Sequence, residues 1–293
     1  MNMKSIRCFL LAFLLVPVCL RAAELPRNPE TLRILAVGNS FSNDATTWLP
    51  DLLEGAGIHN VILARLYIGG CSLERHCREY EKMDRNYKYY KSTENSWVTV
   101  SEKATILDGI GDEPWDIITI QQSSPLSGVP ESFDPWTERL IGIIRKHCSN
   151  PDVVIVWHQT WAYARSSTHR AFPTYGNNQM IMYGKINECT DELCRRFDFA
   201  TVIPSGTAVQ NARWSHIIFD GKDLTRDGYH LNTGYTRYLA ACVWFESLIR
   251  PALGKSVVGN PFRMQETDKE IDARTARRFQ RIAARTVKSN RWK

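Results

Sequence analysis

The sequence predicts one α/β domain built on a mainly parallel five-stranded sheet with helices on both faces. Three observations predict it. Short apolar runs and stretches of helical periodicity alternate five times along the chain. No internal repeat or low-complexity linker divides it. Loops rich in Gly, Ser, Gln and His follow the apolar runs, as they do at the carboxyl ends of parallel strands.

The elements follow in order. Residues 1–23 have the form of a signal peptide: Lys4 and Arg7 precede an apolar run over 8–20, and Arg21-Ala22-Ala23 offers small residues for cleavage. The run is too short to be a permanent membrane span, and Val18 is a poor neighbour for lipid attachment at Cys19. The body is then 24–260, and 261–293 is a basic C-terminal helical extension. Within the body, Leu32–Gly38 is a strand and 46–54 a helix closed by Gly55 and Gly57. Val61–Tyr67 is the second strand, with a helix over 72–83, and 87–100 is an inserted hairpin around Ser92-Thr93-Glu94-Asn95. Strands at 116–122, 153–157 and 201–203 alternate with helices at 133–147 and 178–197, and a last helix covers 233–249. In the extension, Ile271, Thr275, Phe279, Ile282 and Thr286 recur at helical spacing, which predicts a helix packed on the body with a solvated basic face.

Composition narrows the function classes. The 293 residues are 43% hydrophobic, 11% aromatic and 23% charged, which excludes a disordered, collagen-like or multi-span membrane chain. The formal charge is +6, but the expected leader carries three of those charges and 263–293 holds ten Lys/Arg against four Asp/Glu. The remaining body is near neutral, so no nucleic-acid groove is expected. Gly109-Ile110-Gly111 lacks the third glycine of a dinucleotide fingerprint, no Walker sequence occurs, and the seven histidines include no metal-binding spacing. No cofactor and no metal are expected. Export would leave Cys71, Cys77, Cys148, Cys189, Cys194 and Cys242 in an oxidising compartment, where they could pair in several ways.

The chemistry-bearing residues fall at the strand ends: Gly38-Asn39-Ser40-Phe41-Ser42, Gly69-Gly70, Gln121-Gln122, His158-Gln159-Thr160-Trp161 and Asp227-Gly228-Tyr229-His230. A hydroxyl, main-chain amides beside glycine, side-chain amides and an Asp/His pair are what acyl transfer by serine requires. Each has a bland reading too: Ser40 as a helix cap, Asp227 as a turn residue, His230 as a loop histidine, Gly69-Gly70 as a plain turn, and the glutamines as backbone ties. All of them fall at one end of the expected sheet, which favours the joint functional reading.

These blocks resemble the SGNH (GDSL-like) hydrolase superfamily, and together are similar to an uncharacterised bacterial family within it. Gly38-Asn39-Ser40-Phe41-Ser42 is similar to its first block with Asn39 in place of Asp, Gly70 to its second and Asp227-x-x-His230 to its last. The Gly-x-Asn-Asp of the third block is absent. The resemblance covers about 31–250 and implies a three-layer α/β/α sandwich. It also implies metal-free ester hydrolysis in which Ser40 is nucleophile, His230 the base and Asp227 its orienter. Ser40 N–H, Gly70 N–H and a glutamine amide would hold the oxyanion, Gln122 being preferred and Gln121 the alternative. Asn39, His158 and Trp161 are the expected substrate contacts. The expected substrate is a short acyl, chiefly acetyl, ester on a small molecule or glycan, met in the periplasm or outside the cell. A small-acyl lipase or thioesterase is the alternative enzyme. A carbohydrate-binding protein using Trp48, Trp157, Trp161 and Tyr163 is the alternative non-enzyme.

Overall fold

The computed structural model describes residues 23–215, 223–266 and 269–292. The expected leader, apart from Ala23, lies outside the described residues.

The apolar runs become strands where expected. In chain order they are β1 (Leu32–Gly38), β2 (Val61–Tyr67), β3 (Tyr87–Ser92), β4 (Val98–Ala104), β5 (Ile117–Ile120), β6 (Val154–His158) and β7 (Val202–Ile203). They form one sheet in the order β4-β3-β2-β1-β5-β6-β7, so the sheet has seven strands and not five. The difference is the hairpin. β3 runs antiparallel to β2, from Leu63 opposite Ser92 to Tyr67 opposite Lys88, and β4 pairs antiparallel with β3. Pairing with β3 supplies the main-chain partners that the outer side of β2 would otherwise lack. The other neighbours, β2-β1-β5-β6-β7, are all parallel.

Ten helices are described: α1 (Ser40–Thr46), α2 (Leu49–Gly55), α3 (Leu73–Lys82), α4 (Ile106–Ile110), α5 (Trp136–His147), α6 (Gln179–Arg196), α7 (Ser205–Trp214), α8 (Tyr235–Trp244), α9 (Arg250–Leu253) and α10 (Ala273–Lys288). A π-helical turn, Phe245–Ile249, joins α8 to α9. The side chains of β1 divide by parity: Leu32, Ile34 and Ala36 enter one core, Leu35 and Val37 the other. The first core includes residues of α1, α2, α7, α8 and α10, the second residues of α3, α4 and α5, and α6 contributes to both. The fold is thus a three-layer α/β/α sandwich.

Two further expectations meet the structure here. The basic extension is not an appendage: Ala276, Phe279 and Ala283 of α10 are buried in the same core as Tyr238 and Trp244 of α8. Its solvent side carries Arg274, Arg277, Arg278, Arg281 and Arg285. The six cysteines form no disulfide; all are free thiols, five of them buried. Among the described residues no helix is long and apolar enough to cross a membrane.

One glycine sets how closely α7 approaches the loop after β6. A Cβ on Gly206 would lie 2.1 Å from the carbonyl oxygen of Thr160. Gly206→Ala should therefore cost about 1–3 kcal/mol. Gly142, exposed inside α5 with nothing within 4 Å of a Cβ, should gain about 0.5–1 kcal/mol on the same change. Urea unfolding of both variants checks this; a Gly206→Ala protein as stable as wild type would contradict it.

Candidate active site

The chain leaves β1 at Gly38, where a Cβ would sit 2.5 Å from Ser42 Oγ, and turns sharply into α1. Asn39 is the N-cap: extended, with its side-chain oxygen accepting from Phe41 N–H at 3.0 Å. Ser40 is therefore the first helical residue, and its own N–H has no intrahelical acceptor. The Asn39 amide donates to Cys71 C=O at 2.9 Å, tying this turn to the next strand end. There Cys71 N–H closes a turn on Ile68 C=O at 3.2 Å. Gly70 takes its left-handed position, with φ +63°. Gly70 is exposed, and its N–H has no partner among the described residues.

The second half of the site is the 225–231 loop. Asp227 Oδ1 accepts from the N–H groups of Tyr229 (3.1 Å) and His230 (2.7 Å). Its Oδ2 accepts from His230 Nδ1 at 2.6 Å. That bond assigns the proton to Nδ1 and leaves Nε2 to accept from Ser40 Oγ, 2.9 Å away. Burial raises the Asp227 carboxyl, but the hydrogen bonds from His230 and Tyr229 outweigh it and hold it below the ordinary carboxylate range. The imidazole lies between Tyr229, at 4.3 Å between ring centroids, and Phe41, at 6.0 Å.

Ser40, Asp227 and His230 are thus brought together in hydrogen-bond sequence, the arrangement of a nucleophile, base and orienter. Ser40 N–H and Gly70 N–H are free main-chain donors on the two neighbouring strand-end turns. Among the described residues, no three His, Cys, Asp or Glu side chains converge on a possible metal position.

A family model for a domain of unknown function, DUF4886, matches residues 33–285. The chain belongs to the DUF4886 family. A solved DUF4886 family protein from Bacteroides uniformis is 38% identical over 88% of this chain and 95% of its own, with a TM-score of 0.79. More distant structures include a putative GDSL-like lipase from Parabacteroides merdae, 12% identical with a TM-score of 0.49 over 77% of this chain and 98% of its own. A mutant of an acetylxylan esterase from Geobacillus stearothermophilus is 9% identical, with a TM-score of 0.46 over 74% and 94%. These two likenesses are too remote to carry chemistry across. No curated protein matches the chain.

Four expected contacts of this DUF4886 chain are corrected by the structure. Gln122 is not an oxyanion donor: its amide donates to Ser132 C=O (3.0 Å) and Ser132 Oγ (3.2 Å), and its oxygen accepts from the N–H groups of Leu73 and Ser123. It braces three backbone segments. Asn39, His158 and Trp161 are not substrate contacts, because all three are buried. Trp161 stacks on Phe41 at 4.2 Å and donates to Tyr229 C=O at 2.7 Å, so it supports the Asp227–His230 loop from beneath.

Asn39 and His158 belong to a buried relay. The partners of Asn39 fix its amide: oxygen toward Phe41 N–H, nitrogen toward Cys71 C=O. Gln121 must then present its NH2 to Asn39 Oδ1 (2.9 Å) and its oxygen to His158 Nδ1 (2.7 Å). His158 Nε2 is left to accept from Ser205 Oγ at 3.0 Å. An aspartate at position 39 could not donate to Cys71 C=O, which accounts for asparagine there.

Sequence reasoning missed Asp44. One turn beyond Ser40 on α1 and almost fully buried, it accepts from Arg226 (3.0 Å), from Arg237 (2.7 Å) and from Leu231 N–H (2.9 Å). It grips both flanks of the Asp227–His230 loop. An N-cap reading of Asn39 would have started the helix early enough to place Asp44 on it.

Two predictions follow from these roles. Asp44→Ala should lower stability by about 2–4 kcal/mol and cut turnover at least tenfold. Gln122→Ala should lower stability and leave kcat of the folded protein within about threefold. Melting and kcat measured on both variants check the pair; a tenfold kcat loss in Gln122→Ala at unchanged Tm would return it to the chemistry. Burial also holds the conjugate acid of His158 down to about 3, and burial together with the Arg75 charge does the same for His76. The unfolded chain titrates these rings near about 6.5, so it binds more protons than the folded one below that pH. Stability should be full above about 6.5 and fall as pH drops toward 3. Urea midpoints at pH 7, 6, 5 and 4 should show the loss, and His158→Gln should flatten part of it; a His158→Gln slope equal to wild type would contradict the assignment.

Proposed function

We propose that this protein is a serine esterase that removes short acyl groups, chiefly acetyl, from carbohydrate or other small soluble esters. The observation that carries the reading is the unbroken chain Asp227–His230–Ser40, with contacts of 2.6 and 2.9 Å. Ser40 Oγ attacks the acyl carbon while His230 Nε2 takes its proton. Asp227 holds the Nδ1–H tautomer and stabilises the imidazolium. The carbonyl oxygen becomes an oxyanion facing Ser40 N–H and Gly70 N–H. Collapse breaks the bond from the acyl carbon to the alcohol oxygen, which leaves with the proton from His230. Water, deprotonated by the same nitrogen, then releases the acid and restores Ser40.

Short acyl groups and soluble alcohols suit the chain better than lipid, since among the described residues no helix is long and apolar enough to resemble a lipid-binding segment. The carbohydrate-binding alternative is the weaker reading, because Trp157, Trp161 and Tyr163 are buried and offer no face to a sugar, which leaves only the half-buried Trp48 of its four rings. Action in the periplasm or outside the cell follows from the leader-like sequence of 1–23, and the N-terminal sequence of the exported protein tests it.

Kinetics on acetyl, butyryl and octanoyl p-nitrophenyl esters test the mechanism. Ser40→Ala and His230→Ala should each lose several orders of magnitude in kcat, and the double variant little more, because one catalytic unit is broken either way. Activity should fall as the acyl chain lengthens. Undiminished turnover in Ser40→Ala would overturn the assignment.

A further inference from the structure

Around the Ser40–His230 pair nearly every polar side chain is already engaged: Asn39, Gln121, Gln122 and His158 bond one another or the backbone, and the Trp161 N–H is spent on Tyr229 C=O. Two are not. Tyr229, adjacent to His230 in sequence and 4.3 Å from it between ring centroids, is half-buried, and its phenol oxygen has no partner among the described residues. The His169 ring packs edge-to-face on Tyr229 at 4.7 Å and lies tilted against Tyr163, also at 4.7 Å. His169 Nδ1 accepts from Ala171 N–H at 3.1 Å, which places the ring proton on Nε2, and that N–H has no partner among the described residues. Neither polar tip is sealed from solvent. The loops that carry them are locked together: Ala164 N–H bonds Gly228 C=O at 2.8 Å, and Ser167 packs so closely on Gly228 that a Cβ there would meet Ser167 Cα at 3.0 Å.

We propose that Tyr229 and His169 form the subsite for the leaving alcohol, and that this alcohol is a polyol, a sugar ring whose free hydroxyls bond the Tyr229 phenol and the His169 Nε2–H. The proposal rests on the esterase reading above and adds the identity of the alcohol. In acyl transfer the alcohol oxygen must leave toward the proton on His230 Nε2, so the alcohol sits on the His230 side of the site, where these two groups lie. A fixed N–H donor and a rotatable O–H match the hydroxyls of a sugar. An alkyl alcohol would bury both groups without partners, a loss that polar sites turn into selectivity. Acyl selection is left to the Ser40–Gly70 side.

The test compares acetylated methyl xyloside with ethyl acetate, both cleaved with release of the same acetate. Tyr229→Phe removes only the hydroxyl; His169→Asn keeps an acceptor for Ala171 N–H and removes the Nε2 donor together with the ring that packs on Tyr229 and Tyr163. The ratio of kcat/KM for the sugar ester to that for ethyl acetate should fall about tenfold in each variant, mainly through KM. A purely structural role would lower both substrates together and leave the ratio unchanged, which would overturn the subsite while the esterase reading stands. Wild-type protein that cleaves neither ester would overturn both readings.

Discussion

The carboxylate of Asp44 sits where the two halves of the site meet. Ser40 and His230 are 190 residues apart in sequence, one at the first turn of a helix and the other on a loop with little regular structure. Asp44 leaves the same helix one turn after Ser40 and takes hold of that loop at both shoulders, through Arg226 on one side and Leu231 N–H on the other. Arg237, at the start of α8, completes the cage. A buried carboxylate with two guanidinium partners and a main-chain donor is a demanding arrangement, tolerable because every partner is met. The 2.9 Å contact between Ser40 and His230 is made across the two segments that this cage joins.

A second network holds the Ser40 turn from the opposite direction. From Ser205 through His158, Gln121 and Asn39 to Cys71 C=O, each group has one assignable donor or acceptor role. Its last link, Asn39, bonds the two turns that carry Ser40 N–H and Gly70 N–H, and so fixes the spacing between them. His158, neutral because it is buried, can act in this relay without bringing a charge into the core. Residues that invite a reading as substrate contacts are thus spent on holding the site in shape.

Much of the sheet was legible in the sequence because buried parallel strands have to be apolar. The 32–38 and 61–67 runs match β1 and β2 to the residue. The hairpin was legible as a hairpin but not as part of the sheet: β4 is exposed along most of its length, so its sequence carries no sign of what it pairs with. The helix carrying Ser40 was missed because Ser40–Thr46 is polar and short, held by its cap and its buried contacts rather than by apolar periodicity. The preference for Gln122 over Gln121 as a donor to the site failed because β5 ends at Ile120. Beyond it the backbone is free to turn, and both side chains go inward to backbone and relay partners.

A crystal structure of the protein after reaction with a small alkyl phosphonate tests the account most directly, because the adduct reproduces the tetrahedral intermediate. Phosphorus should be bonded to Ser40 Oγ, with one phosphoryl oxygen about 2.7–3.1 Å from both Ser40 N and Gly70 N. Phosphorus on another side chain, or a phosphoryl oxygen turned away from both donors, would contradict it.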